Sequence, residues 1–120
     1  MKPARLRPQA RQDRLAETRH YRDAAGSAVA EAFVMSAEQA LDLLEQQPGL
    51  GSPRLGQLLD IPALRSWRIS GFPLMWLYIE QSDHLDVVRL LGERQDLLAI
   101  LGVDKSLSAH EPGASYSSPS

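Results

Sequence analysis

Apolar and polar positions are sorted most plainly between residues 27 and 46. Val29, Ala32, Phe33, Ser36, Ala37, Ala40, Leu41 and Leu44 recur at intervals of three and four, while Glu31, Glu38, Asp42 and Glu45 lie off that stripe. A 3.6-residue period with one apolar face predicts an amphipathic helix. Ser27 is a plausible N-cap for it, and Pro48-Gly49 ends it. Upstream, residues 9–25 hold good helix formers and no Gly or Pro. Their apolar face is thin, with Ala10, Leu15, Tyr21 and Ala25 as its best members. Pro8 suits the first turn of this helix. Gly26 separates it from the next, so the two helices form an antiparallel hairpin. Residues 4–7, ahead of Pro8, can form a short first strand.

After residue 48 the pattern changes. Gly49, Gly51, Pro53, Gly56 and Pro62 punctuate a loop, and Leu55, Leu58, Leu59 and Ile61 tuck it onto the core. Residues 64–70 alternate loosely and carry Trp67 and Ile69. Gly71 marks a tight connection. Residues 72–80 form a continuous apolar run rich in aromatics, as expected of a strand buried on both faces. Gln81-Ser82-Asp83-His84 is turn chemistry, and residues 85–91, with Val87 and Val88, read as a further strand. Three closely spaced strands imply an antiparallel meander. Residues 93–101 can form a short closing helix with Leu97, Leu98 and Leu101 at helical spacing. The expected fold is therefore α+β: an N-terminal strand and an antiparallel helical hairpin packed on one face of a small, mainly antiparallel sheet, in the order β-α-α-β-β-β, with a short C-terminal helix. Residues 1–101 would form one domain. Residues 102–120, with six serines, two prolines and two glycines, read as a disordered tail.

Composition narrows the chemistry more than it defines it. With 120 residues, 43% hydrophobic and 23% charged, the chain has an ordinary globular balance and can fold without staples. It has no cysteine, which excludes disulfides and thiolate metal sites and fits a reducing compartment. His20, His84 and His110 lack ligand spacing, so no metal or cofactor is expected. The longest nearly apolar run, residues 72–79, is far too short to span a bilayer. The basic N-terminus is followed by no apolar stretch of the kind a signal peptide needs; a cytoplasmic location is the expectation. The net charge of −2 hides an asymmetry. Residues 1–25 carry seven Lys/Arg against three acidic residues, and the remainder carries six against twelve. The basic stretch reads as a solvated helix face, with attraction of nucleic acid or an acidic partner as the alternative.

Several segments resemble, in order, those of the RelE/ParE toxin superfamily, and more closely its ParE branch. Gln47-Pro48-Gly49 with Gly51-Ser52-Pro53-Arg54 is similar to the loop after the helical hairpin. Residues 61–69, Ile-Pro-Ala-Leu-Arg-Ser-Trp-Arg-Ile, resemble the second strand and its lead-in. Gly71-Phe72-Pro73 and the aromatic strand to Tyr78 resemble the next turn and strand, and residues 87–97 the last strand and its exit. The resemblance covers roughly residues 4–101, on family rules of element order. It implies the toxin half of a bacterial type II toxin–antitoxin pair, poisoning DNA gyrase by binding. It also implies neutralisation by a cognate ParD-like antitoxin of ribbon-helix-helix type in a hetero-oligomer. The alternatives are a RelE-type ribosome-dependent mRNA endoribonuclease and a non-toxic antitoxin-binding relative.

RNA cleavage through the 2′-hydroxyl needs a base, an acid and cations at the transition state. Where RelE-type relatives carry basic residues on the second strand, this chain has Arg65 and Arg68. Arg94 matches the arginine after the last strand. Gly92 stands where many ParE relatives have a histidine, and Ile100 lies near the position of the RelE tyrosine. These arginines supply charge without a proton shuttle, so no catalytic residue is assigned. The candidates for binding a target or partner are Arg65, Arg68, Arg89, Arg94, Trp67, Leu97 and Leu98. Their bland readings are solvent-facing strand arginines, with Asp86 and Glu93 as ion-pair partners, and core packing for Trp67, Trp76 and Tyr78. Arg54 reads as a loop charge and His84 as a turn residue.

Overall fold

A four-stranded mixed sheet carries a helical hairpin on one face and a short helix on the other. The computed structural model describes residues 1–92. The elements run β1 (Ala4–Leu6), α1 (Pro8–Ala25), α2 (Ser27–Gln46), a 3-10 turn (Pro48–Leu50), α3 (Arg54–Leu58), β2 (Leu64–Arg68), β3 (Leu74–Glu80) and β4 (Leu85–Gly92). The expected closing helix at 93–101 and the tail at 102–120 lie outside the described residues.

The strand order is β1-β4-β3-β2. The meander β2-β3-β4 is antiparallel, as its short connections require, and β1 adds parallel to β4 with Leu6 opposite Val87. The pairing of β3 with β4 slips between Leu77 and Tyr78, which leaves Val88 without a Cα partner. Such a bulge twists the strand locally.

The hairpin forms where the periodicity places it. Gly26, at φ 98°, sits between the helices in a conformation that L side chains rarely adopt. It is also the residue before helical Ser27, so Gly26 and not Ser27 occupies the N-cap, and no side-chain cap bond forms. The buried stripe of α2 is Ala30, Phe33, Ala37, Ala40, Leu41 and Leu44. Ala32 is exposed and Ala30 takes its place, a shift of the stripe toward α1. The expected apolar face of α1 is thinner still: only Ala10 is buried, and Leu15 is 50% exposed.

The core divides in two. The larger cluster lies between hairpin and sheet and includes Phe33, Leu44, Trp76, Tyr78, Leu85 and Val87. At the hairpin end, Tyr21, Phe33 and Phe72 pack ring against ring with centroids 5.1–5.4 Å apart, which clamps the β2–β3 turn to the helices. The smaller cluster, on the opposite sheet face, joins Leu59, Leu64, Leu77, Val88 and Leu91, with Leu55 and Ile61 packed against it. This is the physical basis for the unbroken apolar run of β3: its alternate residues enter different cores. The segment 49–62, read as a loop, supplies the second cover by folding part of itself into α3.

Candidate partner-binding surface

The candidate surface is built on β2, an outer strand of the sheet. Because side chains alternate along a strand, Arg65 and Trp67 project toward the hairpin, and Leu64, Ser66 and Arg68 toward α3. Their cross-strand partners agree: Arg65 faces Tyr78 and Trp67 faces Trp76, while Ser66 faces Leu77 and Arg68 faces Met75.

On the hairpin side the polar groups are spent on architecture. The buried Tyr78 hydroxyl donates to the Pro48 carbonyl at 2.6 Å and accepts the Gly51 N–H at 2.9 Å. The Arg65 guanidinium donates to the Gly51 carbonyl at 2.6 Å and more loosely to that of Gly49 at 3.3 Å. Together they brace the segment after α2 against the sheet. Burial pushes the Tyr78 phenol above its ordinary pKa, and the bond from Gly51 and the nearby Arg65 charge offset only part of this. Trp76 donates its indole N–H to the Ala37 carbonyl at 3.1 Å. Trp67 is half-buried and packs against the main core, in keeping with the bland reading of that residue.

Arg89 sits two strands away on β4, opposite Leu77, and is engaged by α1. Its Nε and Nη2 donate to the Asp13 carboxylate at 2.7 and 3.2 Å, and the Leu90 N–H adds a third bond at 3.1 Å. The expected pairing of a strand arginine with Asp86 also has a different partner. Arg7, just after β1, makes a two-pronged contact to Asp86 at 3.0 and 2.8 Å. The reason is topological: β1 adds beside β4 and brings residues 79 positions apart within reach. Asp86 in turn holds the Arg7 guanidinium above its ordinary pKa by hydrogen bonding and charge.

On the α3 side the surface is open. Arg54, Leu55, Gln57, Leu58, Ser66 and Met75 line a depression of about 780 Å³, and exposed Arg68 follows Ser66 on the same face of β2. Leu58 is 67% exposed at its edge. The result is an apolar trough with arginines at its margins. Arg54 and Leu58 line the trough only once α3 is folded; the sequence marked Arg54 as a loop charge and placed Leu58 on the core, whereas it is exposed. The middle of β2 is closed to further strand pairing, because Ser52 and Ser66 exchange backbone bonds at 2.9 and 3.0 Å. Of the candidates, then, Arg68 shares the trough's face of β2, and Arg65, Trp67 and Arg89 lie elsewhere. Arg94, Leu97 and Leu98 lie outside the described residues. Among the described residues no three histidine or acidic side chains converge on a metal-sized site, and no helix is long and apolar enough to cross a membrane.

A family model described as the ParE toxin of type II toxin-antitoxin system, parDE, matches residues 4–97. The chain belongs to this ParE toxin family. The match spans every described element and runs through Arg94 to Leu97. No curated protein matches the chain. Among solved structures, one described as the chromosomal ParDE TA system from P. aeruginosa superposes with a TM-score of 0.65 at 19% identity, over 77% of this chain and 96% of that one. At that identity the likeness establishes the ParE fold: strand, helical hairpin and four-stranded mixed sheet. In ParE terms, the trough beside β2 is a surface that the fold leaves uncovered in the described residues of this toxin.

Proposed function

We propose that this ParE-family chain acts by binding and poisoning DNA gyrase, and that a cognate ParD-like antitoxin of ribbon-helix-helix type neutralises it in a cytoplasmic hetero-oligomer. The antitoxin's C-terminal segment would lay its apolar residues in the trough between α3 and β2, with acidic groups toward Arg54 and Arg68. The observation that carries this reading is the trough itself: an apolar floor with arginines at its margins, on a fold shared with the toxin of parDE pairs. An extended or helical peptide uses such a groove through a few apolar anchors, with charge setting its register. Arg94, Leu97 and Leu98 belong to the same proposal as target- or partner-binding residues.

Among the described residues, the histidine of the β3–β4 turn and the exposed arginine of β2 stand apart. His84 lies in the turn before β4, hydrogen-bonded to Asp83 at 2.7 Å. Arg68 lies opposite Met75 and Leu85 opposite Glu80, so these sites are separated by five strand residues, about 17 Å. Among the described residues, His84 and Arg68 therefore do not share a site, because acid–base catalysis works at hydrogen-bond distance.

The test is gyrase supercoiling with purified full-length protein, paired with mRNA cleavage on translating ribosomes. Accumulation of cleaved gyrase–DNA complexes, relieved by the antitoxin, is the expected result. Cut mRNA with untouched gyrase would replace this reading with the endoribonuclease; inactivity in both assays would leave an antitoxin-binding relative.

A further inference from the structure

The outer face of the hairpin, turned away from the sheet, carries a pattern that neither the core nor the trough uses. On α1 it presents Arg11, Leu15, Arg19 and Arg22, at steps of four, four and three. On α2 it presents Glu31, Met35, Glu38 and Asp42, at steps of four, three and four. All eight are exposed, with Leu15 at 50% and Met35 at 62%. One helix therefore shows three cations around an apolar residue, and the other three anions around an apolar residue. Between them runs a groove of about 470 Å³, floored by Ala30 and Val34.

The two rows are also level with each other. Tyr21 and Phe33 stack at 5.3 Å, which fixes the height of one antiparallel helix against the other. Counting away from that contact puts Arg22 beside Glu31, Arg19 beside Met35, Leu15 beside Glu38 and Arg11 beside Asp42. Each pair is level to within one residue, a rise of about 1.5 Å.

We propose that this face is a homodimer interface, in which two copies stack hairpin on hairpin about a two-fold axis parallel to the helices. That axis lays α1 of each copy over α2 of the other at the same height. Arg22 then meets the partner's Glu31 and Arg11 the partner's Asp42, while Leu15 lies against the stem of the partner's Glu38 and Met35 against that of the partner's Arg19. A two-fold axis across the helices would instead set α1 on α1 and α2 on α2, arginine against arginine and carboxylate against carboxylate. Self-complementarity is what an isologous contact demands, and only the parallel axis provides it. Stacked this way the four helices form a bundle of ordinary packing geometry. The hairpin is about 30 Å long, from the rise per residue, and two helix widths across, so each copy would bury about 600 Å². That is somewhat less than the ~800 Å² per partner of a standard interface. The dimer would therefore be dissociable, and more so at high salt, since its rim pairs are screened.

The experiment is sedimentation equilibrium of the full chain at tens of micromolar, with circular dichroism as the control for folding. Wild type should be a dimer that dissociates as salt is raised, and Met35→Glu, at an exposed position, should weaken the dimer at least roughly tenfold. Two charge variants supply the sharper test. One carries R11E and R22E, making both helices acidic; the other carries E31K and D42K, making both basic. Each alone should be monomeric, and an equimolar mixture should form a heterodimer, because each helix again faces its opposite. A wild type that stays monomeric overturns the proposal. So does a dimer that persists in both charge variants, or a mixture of folded variants that fails to pair. Loss of antitoxin binding in Met35→Glu with a monomeric wild type would assign the face to that partner instead.

Discussion

A single hydroxyl governs the segment after α2. Tyr78 spends its oxygen on Pro48 and Gly51, and Gly51 can sit there only because it has no Cβ. An added methyl would lie 2.7 Å from Cε1 of Tyr78 and 2.8 Å from its Cζ, closer than such contacts are found. Gly51→Ala should therefore cost about 1–3 kcal/mol of stability by overpacking, read as a lower urea midpoint with an unchanged slope. Tyr78→Phe keeps the shape but orphans a buried N–H and a carbonyl, at about 1–3 kcal/mol. The same substitution should alter the alkaline limb of stability. With its pKa raised by burial, the folded phenol holds its proton more tightly than the unfolded one. Its contribution is complete below the unfolded value near pH 10 and is lost as pH rises through the folded value. Tyr78→Phe should flatten the fall in urea midpoint as pH rises above about 10, while Tyr21, also raised chiefly by burial, keeps part of it. Tyr78 was legible in the sequence as a core aromatic. Its bonds were not, since they join residues 27 and 30 positions apart and depend on register.

At the level of elements, α1 and α2 are held by different means. The stripe of α2 reads directly from its sequence because burial on one face imposes the 3.6-residue period. α1 has one buried residue, and beyond Ala10 and the Tyr21 ring its grip on the sheet is polar: Asp13 takes both prongs of Arg89 and the N–H of Leu90. The pair is mostly sheltered, with side chains 22% and 11% exposed. Asp13→Ala should destabilise the protein by about 1.5–3 kcal/mol, the range for bonds to a charged group. It should also speed hydrogen exchange at Leu90 beyond the global change. Equal loss of protection across the whole sheet would argue against a local anchor. α3 illustrates the opposite limit. Five residues are too few to display a period, and Gly56 within it and Pro53 before it read as loop signals. Only contact with Leu64 and Leu77 through Leu55 and Leu59 makes a helix of them.

Among the described residues the molecule is a sheet with a cover on each face, and the trough beside β2 follows from the size of the second cover. Among these residues α3 is too short to shield β2 and β3 completely, so Leu58 and Met75 line the depression beside Arg54, with exposed Arg68 on the same face of β2. Leu58→Asp should leave stability within about 0.5 kcal/mol, as for surface positions generally. It should weaken antitoxin binding about tenfold or more, measured by calorimetry with the cognate partner; undiminished affinity would move the antitoxin site elsewhere. The sequence by itself determined the α+β class, the hairpin and the antiparallel meander, because periodicity and turn residues are local quantities; the ParE family was legible only through the resemblance of its segments to known members. Tertiary structure alone decided that Arg7 meets Asp86, that Asp13 meets Arg89, and which arginines stay at the surface. Those outcomes depend on β1 adding beside β4 and on which face of β2 each residue takes. Strand order and register are set by the burial of all the elements together, and no short stretch of the chain encodes them.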